Sequence, residues 1–185
     1  MKIDKIESGY TEILEYGQHA LFIYLDNEGA EHDDKELIEQ AIHFHKIIIL
    51  GDEPFLQKQE LFKFVKTLIK KSDTILIEIH TKGLAKPSSM GNFNRIKYNV
   101  FLQLKNSKLS YNDRVNPAIV NWFTLADANF IFEVGTEDDI DEVISILQDV
   151  GIPKYKVFFT PIDNYKSIVL KCKNLNFNIS PRIII

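Results

Sequence analysis

Six short apolar runs, at 19–25 (HALFIYL), 46–50 (KIIIL), 74–79 (TILIEI), 98–104 (YNVFLQL), 128–134 (ANFIFEV) and 155–160 (YKVFFT), alternate with segments of helical period. Strand-length runs separated by helical segments are the pattern of a largely parallel sheet covered by helices. The fold class expected is therefore α/β, with about six largely parallel strands. Helices are expected at 34–45, 57–71, 136–150 and 164–174, and on the second of them Leu61, Phe64, Val65 and Leu68 trace one apolar stripe. Thr136 supplies a capping hydroxyl ahead of Glu137, Asp138 and Asp139, whose charges favour the positive end of a helix, and Gly151 with Pro153 stops that helix. The stretch 81–97, with Gly83, Pro87, Ser88, Ser89, Gly91 and two asparagines, is too polar and broken for a long helix and is expected to be a mobile loop.

A chain of 185 residues, 45% apolar and 26% charged, matches one globular domain, expected to cover 1–185. Twenty-two basic against 26 acidic residues leave a net charge of −4 with no long block of one sign, so neither nucleic-acid nor membrane binding is expected. Arg95, Arg114 and Arg182 are the only arginines, and lysine is the poorer residue for bidentate recognition of phosphates or bases. The N-terminus lacks the apolar core of a signal peptide and no apolar run is long enough to span a bilayer, so the compartment expected is the cytoplasm. With Cys172 as the single cysteine, the chain can form neither a structural disulfide by itself nor a conventional cysteine-ligated cluster, and a buried, inert thiol is expected there.

Parallel α/β sheets bind ligands beyond the carboxyl ends of their strands. The segments in those places are Asp26-Asn27-Glu28, Gly51-Asp52-Glu53-Pro54, His80-Thr81, Lys105-Asn106-Ser107-Lys108 and Thr160-Pro161. In the second, a glycine permits close backbone approach, the acids can accept from an ammonium or hydroxyl, and Pro54 sets the turn into the helix; a plain strand-to-helix turn would use the same residues. His43 and His45, two apart on an expected helix, point about 200° apart and do not suit one metal. His32, Asp33 and Asp34 open a helix, where acids serve as caps, and Trp122 and Phe123 read as core.

Gly51-Asp52-Glu53-Pro54-Phe55-Leu56-Gln57 resembles the GGEPLLQ segment of the radical S-adenosylmethionine enzymes, in particular 7-carboxy-7-deazaguanine synthase of queuosine and deazapurine biosynthesis. Ala20–Leu25 resembles the first strand of that family and Ile75–Glu78 its third. Ser107-Lys108-Leu109-Ser110 with Arg114-Val115-Asn116-Pro117 resembles its SPKLS and R-x-NP elements. Asn129–Val134 with Asp138–Val143, and the closing Phe177–Ile183, extend the likeness over nearly the whole chain. The resemblance implies a partial open (β/α) barrel, a homodimer and a polar ligand held by Gly51, Asp52, Glu53, Glu78, Ser107, Lys108 and Arg114.

Several family residues are replaced. The family's CxxxCxxC loop binds a four-iron four-sulfur cluster; here the same place reads Leu25-Asp26-Asn27-Glu28-Gly29-Ala30-Glu31-His32-Asp33-Asp34. Such clusters need thiolates, which hard carboxylates do not replace, so no iron–sulfur cluster, no other metal and no radical initiation are expected. The extra acid Asp52 in the glycine turn argues against S-adenosylmethionine, Tyr24 stands where the family has a substrate-pairing arginine, and Ile184 replaces a histidine. The resemblance thus implies a non-catalytic binding or regulatory protein whose ligand would be a purine, pterin or nucleoside. The alternatives are an enzyme of deazapurine metabolism with a non-radical mechanism built on Asp52, Glu53, Glu78 and Lys108, or a subunit of a cysteine-bearing relative. Glu53 and Lys108 are expected as exposed functional positions, and the apolar ending Arg182-Ile183-Ile184-Ile185 as a dimer contact or an edge strand.

Overall fold

The computed structural model describes residues 1–87 and 94–182. The Ser88, Ser89 and Gly91 part of the expected loop, and Ile183, Ile184 and Ile185, lie outside the described residues. Among the described residues the chain forms nine strands and separates into two compact units.

The first unit comprises Met1–Thr11, Glu15–Thr81 and Ala85–Tyr98. It begins with β1 (Lys2–Tyr10), β2 (His19–Leu25) and β3 (Ala30–Glu31), followed by α1 (Asp34–Ala41), β4 (Lys46–Gly51), a 3-10 turn over Pro54–Gln57, α2 (Lys58–Lys71) and β5 (Leu76–Thr81). Its strand order is β3-β1-β2-β4-β5, antiparallel around β1 and parallel from β2 to β5. The expected stripe on α2 is fully buried, each large side chain contributing about 1.5–3 kcal/mol. Asp33 caps α1 by accepting from Lys35 N at 2.8 Å. That helix ends at Ala41 instead of 45, because the backbone tightens there: His43 N donates to Gln40 O at 3.4 Å and Phe44 N to Ala41 O at 3.0 Å. His43 and His45 therefore leave the helix as exposed residues.

The second unit comprises Glu12–Leu14, Lys82–Leu84 and Asn99–Ile185. Strand β6 (Ile96–Phe101) enters it and pairs in parallel with β7 (Asn129–Val134), which pairs with β8 (Val157–Pro161) and then β9 (Asn178–Ile179). Between β6 and β7 stand α3 (Tyr111–Arg114) and α4 (Pro117–Leu125); α5 (Glu137–Val150) and α6 (Tyr165–Asn174) follow β7 and β8. The capping box of Thr136 and Asp139 starts α5, and Gly151 ends it at φ 73°, a left-handed conformation that glycine adopts freely. Phe130, Phe132, Phe159, Ile168 and Cys172 are wholly buried. Phe123 is core as expected, with Trp122 half-buried edge-on to its ring at 5.1 Å.

The α/β class and the six parallel strands are thus present, and β1, β3 and β9 are additional. β1 reads KIDKIESGY, whose scattered charges give no clear period of two, while β3 and β9 are two residues each.

Candidate functional site

Side chains of β4 and β5 alternate between two faces. The register Ile47↔Ile77 and Ile49↔Ile79 sets four isoleucines, each at most 1% exposed, on one face. The other face carries Lys46, Ile48, Glu78 and His80, where buried charge must be paired to be tolerated. Lys46 Nζ lies 2.8 Å from Glu78 Oε1 and 2.7 Å from Glu15 Oε2, and donates to Gln18 Oε1 at 3.3 Å. His80 Nε2 lies 3.4 Å from Glu78 Oε2, and Lys97 Nζ lies 3.2 Å from Glu15 Oε1. The result is a five-member chain of charged and polar groups, Lys97–Glu15–Lys46–Glu78–His80, buried at Lys46 and Glu78 and part-exposed at both ends.

Burial opposes ionisation of Glu78, but the hydrogen bonds from His80 and Lys46 outweigh it and hold the carboxyl at about 2. Burial likewise works against a charge on Lys46, and Glu15 and Glu78 overcome it, so the ammonium sits above its ordinary range. Hydrogen bonding from Lys46, helped by Lys97, lowers the Glu15 carboxyl against its partial burial. Lys46 and Glu78 therefore keep fixed charges around neutral pH. Proton transfer is best served by groups that titrate near the working pH, which neither Lys46 nor Glu78 does.

At the carboxyl end of β4, Gly51 has φ 137°, and a Cβ there would collide with the carbonyl oxygen of Leu25 on paired β2. Its glycine identity thus serves the approach of two strands. Asp52 is exposed. Glu53, only 6% exposed, accepts from the Thr81 hydroxyl at 2.7 Å and from Phe55 N at 3.3 Å, capping the 3-10 turn that Pro54 opens. The expectation of an exposed Glu53 is corrected: its carboxylate is buried and accepts from a side-chain hydroxyl and a backbone donor, as buried polar groups generally do.

In the second unit, Ser107 is half-buried and Lys108 exposed, with Lys108 at φ 65°. Arg114 is 5% exposed, lies 2.6 Å from Glu142 Oε1, and donates to Gln103 O at 3.0 Å. It ties α3 to α5. The seven expected ligand residues thus divide between the units, Gly51, Asp52, Glu53 and Glu78 in the first and Ser107, Lys108 and Arg114 in the second.

Sequence reasoning missed Lys46 and the part played by Glu15. A usable signal was the lysine that opens an otherwise apolar run, KIIIL, since a parallel strand is normally apolar on both faces. Among the described residues, no group of three or more His, Cys, Asp and Glu is placed to hold a metal ion. Among them, too, no helix is long and apolar enough to cross a membrane.

Fold and site together define an α/β protein whose mostly parallel strands carry a buried charge cluster. No protein-family model and no curated protein matches the sequence. The chain is similar to the crystal structure of Streptococcus suis SuiB, with a TM-score of 0.56 and 16% identity over 98% of this chain and 47% of that one. The likeness is one of fold, and this chain spans about half the length of that protein.

Proposed function

We propose that the protein is a cluster-less relative of 7-carboxy-7-deazaguanine synthase, a partial open (β/α) barrel of the radical S-adenosylmethionine type, acting as a binding or regulatory protein in the cytoplasm. Its ligand is a small polar molecule of the purine, pterin or nucleoside kind, and it self-associates. The observation that carries the reading is the fixed-charge pair Lys46–Glu78, flanked by Glu15, Lys97 and His80, which offers charge and hydrogen bonds to a ligand. Two features support the loss of radical chemistry. The turn after β2 is closed by Gly29 N donating to Asp26 O at 3.1 Å and Glu28 N donating to Asp26 Oδ1 at 2.9 Å, and its residues, Asp26 to Gly29, include no cysteine to bind iron. Burial pushes the thiol of Cys172 up to about 11, which disfavours the thiolate that binds iron.

Native mass spectrometry of the freshly purified protein tests the binding reading. A stoichiometric purine, pterin or nucleoside that is lost in Glu15→Gln, with Lys46 and Glu78 intact, supports it. Persistently empty protein that also fails to take up such molecules in titration rejects it. Anaerobic reconstitution with iron and sulfide is expected to leave no stoichiometric cluster, and a charge-transfer band that survives Cys172→Ser would reject the cluster-less assignment.

A further inference from the structure

We propose that the outer edge of β1 pairs with the same edge of a second copy of this chain, antiparallel, with Ser8 on the two-fold axis. The inference rests on the self-association included above and specifies its surface. β1 is nine residues long, and its partner β2 occupies one side from Ile3 to Tyr10. On the other side β3, two residues long, covers only Lys2 and Ile3, and the bulge between Ile3 and Lys5 lies in the β1–β2 ladder. Thr11 N donates to Gln18 O at 3.0 Å, which fixes the phase of the β1–β2 ladder: residues 5, 7 and 9 direct their backbone groups to β2. Ile6, Ser8 and Tyr10 therefore direct theirs outward, and among the described residues these groups have no backbone partner. Ser8 and Tyr10 are exposed, Tyr10 by 55%. An open edge of this length is a template for a further strand.

The phase and the neighbours leave one good two-fold register. Hydrogen-bonded pairs must join outward-facing residues, so the axis can pass only through a residue position, not between two. An axis at Ile6 runs the partner's Gly9 opposite Ile3, the place Ala30 of β3 already fills. An axis at Glu7 sets that carboxylate directly against its own copy, which is destabilising. An axis at Gly9 shortens the outward pairs to Ser8 with Tyr10. An axis at Ser8 clears β3, places Ile6 opposite Tyr10 twice, and sets Glu7 opposite Gly9, which has no side chain to oppose it. Glu7 meanwhile keeps its own partners, the Tyr24 hydroxyl at 2.8 Å and Lys5.

Sedimentation of the full chain, combined with two substitutions at Ser8, tests this. Ser8→Pro removes an outward donor without touching the β1–β2 ladder and is expected to weaken self-association at least tenfold with an unchanged circular dichroism spectrum. Ser8→Cys brings two thiols across the axis in a hydrogen-bonded pair, about 5.5 Å between Cα atoms and within disulfide reach. It is expected to cross-link on mild oxidation, with Glu7→Cys doing so far more slowly. A dimer that neither cross-links through Ser8→Cys nor weakens with Ser8→Pro overturns the edge pairing and leaves self-association standing. A wild-type chain that stays monomeric at every concentration overturns both. Should Ser8→Pro fail to fold, the cross-linking contrast decides alone.

Discussion

Lys46 Nζ stands 2.8 Å from Glu78 Oε1, the two side chains being 3% and 6% exposed. A buried ion pair adds little net stability when formed, yet removing one member strands the other in a medium that cannot solvate it. Lys46→Met should therefore cost about 3 kcal/mol or more, since it leaves Glu78 with His80. Glu78→Gln should cost less, because Lys46 keeps Glu15. Urea unfolding of the two variants reads the order directly, and equal small losses would show that the pair is not structurally coupled.

The same pair sets an acid limit. The Glu78 carboxyl falls from an ordinary 4.5 to about 2 in the folded chain, so folding favours the ionised form. A depressed carboxyl contributes stability that is complete above its unfolded value and is lost as pH falls through the folded one. Stability should decline between about pH 4.5 and 2, and Glu78→Gln should flatten that limb. Thermal melts of both proteins across this range test it, and parallel acid limbs would place the loss elsewhere.

Gly51 and Gly17 both have positive φ, 137° and 72°, but differ in surroundings. Alanine at Gly17 meets open space and pays only for its backbone, about 1–2 kcal/mol. At Gly51 the new methyl strikes the Leu25 carbonyl as well, so Gly51→Ala should destabilise by clearly more, or displace β2 from β4. Paired denaturation curves separate the two, and equal losses would mean that the strands can part at no cost.

Glu53→Ala should cost about 1–3 kcal/mol, because it removes a cap and a charged acceptor of the buried Thr81 hydroxyl. Lys108→Ala, at an exposed position, should stay within about 0.5 kcal/mol. If Glu53→Ala were as mild as Lys108→Ala, the carboxylate would be free for a ligand instead of committed to the fold.

The sequence by itself determined whatever depends on near neighbours along the chain. Six strands and four helices are legible because burial imposes periods of 2 and 3.6 on apolar side chains, and because Thr136, Asp139 and Gly151 act on the backbone within a few residues of themselves. The fate of Cys172 was legible for the same reason, lying on the inner stripe of α6 beside Ile168. The acids of the turn after β4 were legible as candidates only, since capping a turn and binding a ligand ask for the same carboxylate.

Tertiary structure alone decided which charges meet. Lys46 and Glu78 are far apart in sequence and become neighbours only through the β4–β5 register, where a shift of one residue would turn either side chain to the isoleucine face. Glu53 became buried because β5 ends with Thr81 beside it, and Gly51 became obligatory because β2 passes its Cα. The edge of β1 is open because β3 stops after two residues. None of these has a local period or composition to announce it, since each is fixed by the distance between strands that pair across long stretches of chain.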